Sequence, residues 1–165
     1  RTLHIQLTEH RPLAVIYLDQ LWVWSEDGTR IKAVSSADEA NLPVVTGLDA
    51  ERFEDDRHYQ AEVLSELGAL FDAYRQAGLW RRLPLQEIHW EESGYALIAG
   101  SYGLVIRMGS APFRKKCKEL RRLIDKLEPT QRKIVYVLLD QVGSRARAIV
   151  RFAGENKAEA RLSRP

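Results

Sequence analysis

A single cysteine, Cys117, is all that this chain of 165 residues contains. One thiol excludes an intrachain disulfide and a cysteine-built zinc site. It leaves the compartment open, because extracytoplasmic proteins also fold without disulfides. Long apolar runs are missing too. None reaches the length of a membrane span, and no signal-peptide pattern opens the chain. Neither sign of charge dominates: 25 Lys and Arg against 23 Asp and Glu leave a formal net charge of +2. That balance is too mild to point to nucleic acid as a partner.

The arrangements that carry chemistry are absent as well. His4, His10, His58 and His89 share no ligand-like spacing, so no metal site is assigned. Asp49, Glu51, Glu54, Asp55 and Asp56 do not follow the spaced pattern of a calcium loop and read as an acidic linker. Gly100-Ser101-Tyr102-Gly103 lacks the lysine and following helix of a phosphate loop, and reads as a turn between strands. No Gly-x-Ser-x-Gly elbow or serine–histidine–acid arrangement is present. Cys117 has Lys115, Lys116 and Lys118 beside it, which could activate a thiol. It also falls on an apolar helical stripe, where cysteine is usually a small buried hydrophobe. No catalytic residue, cofactor site, metal ligand or small-molecule substrate is assigned, and the chain reads as non-enzymatic.

What is present is the makeup of a globular domain: 45% apolar and 29% charged residues, enough for one domain with a core, or one domain plus a fragment. Leu3, Ile5 and Leu7 alternate with polar residues as a strand. A sheet rarely opens this abruptly, so the N-terminus reads as a cut. Pro12 marks a strand border. Val15 to Tyr17 and Leu21 to Trp24 follow as short strands, and Asp27-Gly28 is a hairpin turn returning into Thr29 to Val34. Pro43 suggests an edge or extended connection. Trp22 and Trp24 share a face that suits either a core or a contact patch.

The spacing of Val63, Leu64, Leu67, Leu70, Phe71 and Tyr74 predicts a helix over Arg57 to Ala77, capped by Asp55 or Asp56 and ended by Gly78. Three strands come next, near Leu85 to Glu92, Tyr95 to Ala99 and Gly103 to Met108. A second helix, opened by Ser110 and Pro112, buries Phe113, Cys117, Leu120, Ile124 and Leu127. Its basic residues, Arg114, Lys115, Lys116, Lys118, Arg121, Arg122 and Lys126, read as a solvated face. The predicted class is α+β, a mainly antiparallel sheet with two helices packed on one face.

The chain closes on a hairpin. Lys133 to Leu139 is apolar on both faces and reads as a strand buried on two sides. Asp140 to Ser144 supplies the turn. In the last strand Arg145, Ala146, Arg147, Ala148, Ile149, Val150, Arg151 and Phe152 alternate, with alanines, Val150 and Phe152 on one face and the three arginines on the other. Such a strand is a sheet edge guarded by charge, or a docking rail for another strand.

Taken in order, Glu9-His10-Arg11-Pro12-Leu13-Ala14, Asp27-Gly28, Leu42-Pro43-Val44-Val45-Thr46-Gly47, the helix, Gly103-Leu104-Val105-Ile106-Arg107-Met108-Gly109, the lysine-rich helix and the hairpin are distinctive. They resemble the extracytoplasmic β domain of the FtsQ/DivIB cell-division family. Leu138-Leu139-Asp140 departs from the Asp-Leu-Arg that the family often carries.

The resemblance implies residues 1–13 as the last strand of a truncated POTRA domain and 14–153 as the β domain; residues 154–165, with one leucine among charged and small residues, read from composition as a disordered tail. It implies a non-enzymatic divisome scaffold in the bacterial inner membrane at the septum. The full-length protein would be anchored by one transmembrane helix, with this part on the periplasmic side. FtsB- and FtsL-like proteins would be the partners, adding a strand to the edge Arg145 to Phe152. Ile149 and Phe152 would be the anchors, and the arginines would meet partner acids. A different POTRA-type module, such as one serving outer-membrane protein assembly, is the alternative.

Overall fold

A computed structural model describes residues 9–35, 42–130, 132–139 and 148–154. The strand expected at Leu3 to Leu7, the turn at Asp140 to Ser144, residues Arg145 to Arg147 and most of the C-terminal tail lie outside the described residues.

Among the described residues nine strands form one sheet: β1 (Pro12–Tyr17), β2 (Leu21–Ser25), β3 (Arg30–Ala33), β4 (Val44–Thr46), β5 (Leu85–Glu91), β6 (Gly94–Ala99), β7 (Leu104–Gly109), β8 (Ile134–Leu138) and β9 (Ile149–Phe152), in the spatial order β3-β2-β1-β4-β5-β6-β7-β8-β9. Three α-helices accompany it among the described residues: α1 (Ala50–Asp55), α2 (Arg57–Gln76) and α3 (Phe113–Leu127), the last followed by a 3-10 turn at Glu128–Thr130. The α+β class holds, but the sheet is mixed. β1/β4, β4/β5 and β7/β8 are parallel pairs. The reason is connectivity. Parallel neighbours need a crossover, and α2 and α3 supply those between β4 and β5 and between β7 and β8. Hydrophobic alternation within a strand carries no sign of the neighbour's direction.

Register aligns one residue from every strand into a single row: Ala33, Trp22, Ile16, Val45, Ile88, Leu97, Ile106, Val137 and Val150. Ile16, Val45, Ile88, Leu97, Ile106 and Val137 are fully buried, in one core with Leu67 and Leu70 of α2 and Cys117 and Leu120 of α3. Burying each large aliphatic side chain contributes about 1.5–3 kcal/mol, so this row is the spine of the fold. The opposite face is less covered toward β9. Tyr136 and Leu138 of β8 stay half-buried, so that strand is not enclosed on both sides.

β4 is interior, not an edge. Pro43 sits just ahead of it, where a missing N–H costs no ladder bond, and the Pro43 carbonyl accepts from the Val15 N–H at 3.1 Å. The supposed acidic linker contains α1. Asp49 accepts from the Arg52 N–H at its start, and Phe53 is fully buried against Trp24, their ring centroids 5.1 Å apart. A single apolar residue among acids makes no periodic stripe, and so gives no sequence signal. Trp24 is therefore core. Trp22 is half-buried, with Arg30 over its ring and its Nε1–H donating to Asp19.

Asp56 caps α2 by accepting from the His58 and Tyr59 N–H groups, and these bonds hold its carboxyl below the usual carboxylate range. Gly78 follows α2 with φ of 69°, the left-handed conformation that a helix-ending glycine adopts without a Cβ clash.

α3 departs from expectation in two ways. Its N-cap is Pro112, with no side-chain cap from Ser110. More telling, Lys116 leaves the basic face and is buried. Its ammonium donates to the Met108 carbonyl at 2.8 Å and the Ser110 carbonyl at 2.6 Å. A buried ammonium persists only when its protons are placed, and these two carbonyls tie the end of β7 to the start of α3.

Lys116→Ala is therefore expected to lower unfolding free energy by about 1.5–3 kcal/mol, the range for hydrogen bonds to a charged donor. Lys115→Ala and Lys118→Ala, both exposed, are expected to stay within about 0.5 kcal/mol of wild type. Urea denaturation of the three variants checks the contrast.

Candidate partner-binding edge

The sheet ends in β3 on one side and β9 on the other, and the two edges differ. At β3, Arg30 is engaged twice, by Glu54 at 2.8 Å and by the Trp22 ring beneath it. At β9, Arg151 lies over the Tyr136 ring, 5.3 Å from its centroid, and pairs with no carboxylate among the described residues. Ile149 beside it is 58% exposed. No strand among the described residues lies beyond β9.

Alternation within β9 follows the expected pattern where the strand is described. Val150 and Phe152 are half-buried and turned to the helix-covered face, with Ala148 packed against the core in the same phase; Ile149 and Arg151 are exposed on the other face. Of the eight expected edge residues, Ala148 to Phe152 are brought together here, and Arg145, Ala146 and Arg147 lie outside the described residues. The two expected anchors, Ile149 and Phe152, stand on opposite faces. Phe152 pairs across the ladder with Ile134, and the Arg132 guanidinium stacks on its ring at 3.7 Å.

Backbone direction could not be read from the sequence, and it matters most for an edge. The Ala153 N–H donates to the Lys133 carbonyl at 2.8 Å. On the far side of β8, the Leu139 N–H donates to the Arg107 carbonyl at 2.8 Å, which points the backbone groups of Tyr136 and Leu138 at β9. Their ladder partners are Arg151 and Ile149, with a register shift between Ile134 and Tyr136 reconciling the two bonds. In an antiparallel ladder, residues alternate between facing one neighbour and the other. Ile149 and Arg151 therefore bond to β8, while Ala148, Val150 and Phe152 turn their N–H and C=O groups outward. These residues have their side chains in the inward phase, where Ala148 packs against the core and Val150 and Phe152 are half-buried.

Other candidate chemistry resolves into structure. Cys117 is fully buried, and loss of water around it pushes its thiol up to about 12. His10 contacts Asp27 at 3.0 Å, His89 contacts the Thr46 hydroxyl at 2.8 Å, and His58 is exposed in the first turn of α2. On α3, Arg121 pairs with Asp125 and Arg122 with Glu119, while Arg82 reaches across to Asp125 and Glu128. A cleft of about 610 Å³ near the end of α3 has walls of Leu83, Leu104, Ile124, Leu127 and Ile134. Its lining also includes Arg82, Ser101, Tyr102, Glu128, Arg132 and Lys133.

No protein-family model matches the chain. Curated relatives do, and each carries the name cell division protein FtsQ. The one from Myxococcus fulvus is 33% identical over 119 residues, which is 72% of this chain and 42% of the relative. That from Geobacter sp. strain M21 is 26% identical over 140 residues, 84% of this chain and 51% of the relative. That from Anaeromyxobacter sp. strain K is 28% identical over 152 residues, 92% of this chain and 52% of the relative. The chain thus spans about half the length of the curated relatives it matches.

Because a thiol so far raised is protonated at neutral pH, Cys117 in the native protein is expected to resist a thiol reagent. Labelling should appear in step with unfolding in urea. Rapid labelling under native conditions would place Cys117 outside the core.

Proposed function

The chain is FtsQ-like, and on that premise we propose that it serves bacterial cell division as a non-enzymatic scaffold. In this reading it binds FtsB- and FtsL-type proteins by accepting a partner strand along β9. The observation that carries the reading is the outward backbone of Ala148 and Val150 on β9, beyond which no strand lies among the described residues, with the Ala148 side chain packed against the core. Strand addition draws its affinity from main-chain hydrogen bonds, which tolerate changes in partner sequence.

By the same family likeness, this part of the protein works on the extracytoplasmic side of the inner membrane at the septum. No described helix is long and apolar enough to cross a membrane, so the anchor that the likeness implies is not among them.

Position decides the test. Val150→Pro removes an outward N–H while leaving the ladder to β8 intact, and edge strands tolerate proline on their open side. Ile149→Pro removes an N–H that bonds to β8. Val150→Pro is expected to keep a cooperative thermal transition and lose at least about tenfold in affinity for an FtsB-type extracytoplasmic fragment, about 1.4 kcal/mol by calorimetry. Ile149→Pro is expected to lose stability itself. Wild-type affinity in a folded Val150→Pro variant would move docking away from β9.

A further inference from the structure

A second surface stands on the helix layer of the sheet, separate from the β9 edge. We propose that the exposed ridge of α3, made of Arg114, Lys118, Arg122 and Lys126, receives a helical segment of a partner protein whose carboxylates are spaced four residues apart.

The four cations follow one another at intervals of four residues, and all are exposed. Residues four apart are neighbours on a helix surface, and like charges there destabilise the helix. Three such pairs run in succession. The start of the helix adds a second conflict. Its first turn holds no acid, and no side chain caps its N-terminus. Arg114 and Lys115 thus stand where the macrodipole presents its positive end and favours negative charge.

Nothing within the described fold offsets these costs. Lys116 in the same turn is accounted for by the two carbonyls that take its protons. Arg121, off the ridge, is accounted for by Asp125 at 2.8 Å. On the ridge, Arg122 reaches Glu119 only at 3.7 Å, and Arg114, Lys118 and Lys126 join no ion pair among the described residues. Positions that break local rules without a gain inside the fold are where function is expected. A negatively charged partner would relieve both conflicts at once.

The surroundings of the ridge select the shape of that partner. Glu119 flanks it on one side and Asp125 on the other, and α2, packed alongside α3, turns Glu62 and Asp72 to solvent. A flat anionic surface such as a lipid bilayer would bring its phosphates against these carboxylates. A rod with a single line of acids meets the cations and avoids them. Each step along the ridge rises about 6 Å, which is also the rise between carboxylates four apart on a second helix. Rows of this kind run about 26° off a helix axis, so one laid on another sets the two axes about 50° apart.

The test titrates the whole chain with two crosslinked helical peptides of identical composition, read by fluorescence anisotropy. One carries glutamate at every fourth position, and the other spreads the same glutamates around the helix. The in-register peptide is expected to bind about tenfold more tightly, with affinity falling as salt rises. Lys118→Glu should abolish that preference and raise the melting temperature by about 1–3 °C, because it turns two like-charged pairs into opposed ones. Equal binding of the two peptides, or a preference that survives Lys118→Glu, would overturn the proposal. So would a lowered melting temperature in Lys118→Glu, which would assign the ridge to the fold. Phosphatidylglycerol vesicles that bind where neither peptide does, and are lost on Lys118→Glu, would overturn it in favour of lipid headgroups. None of these outcomes touches docking at β9, which Val150→Pro tests separately.

Discussion

The fold depends on one continuous register: the row of positions that strand pairing threads through the nine described strands, from Ala33 to Val150. Six of its members are fully buried, in one core cluster with residues of all three described α-helices. A slip of one residue in any strand would turn its apolar side chain to the other face. Register at the centre therefore fixes register at the edges. β9 is a short strand, yet its orientation is not free, because Val150 must complete the row.

That constraint turns a four-residue edge into a defined surface. Inward side chains hold the strand, and the same residues present their backbone outward. Ile149 and Arg151, whose backbone faces β8, turn their side chains to the other face, where both are exposed. The opposite edge is closed differently: Arg30 of β3 is spent on Glu54 and Trp22. The two edges thus differ in how their arginines are engaged, a difference that composition does not show.

Several elements were legible before any coordinates. The Asp27-Gly28 hairpin, the span of α2 with its Asp56 cap and Gly78 terminus, the meander from β5 to β7, and the core position of Cys117 all rest on local chemistry or on a clean period. What was not legible has a common cause. The parallel pairings follow from where helices carry the chain across the sheet, and α1 is held by the single ring of Phe53. Lys116 is buried because two carbonyls at the β7–α3 junction happen to converge on its ammonium. None of these leaves a pattern within a short window.

At the closing hairpin the division is sharpest. Alternation in the sequence alone separated Ala148, Val150 and Phe152 from Ile149 and Arg151, because side chains in a strand point to opposite faces with a period of two. It could also nominate an edge from the arginines. Which backbone groups face outward was decided only by tertiary structure. Hydrogen-bond phase is set by the neighbouring strand: Leu139 bonding to Arg107 on one side of β8, Ala153 bonding to Lys133 on the other, and the irregularity between Ile134 and Tyr136 that brings the two into step.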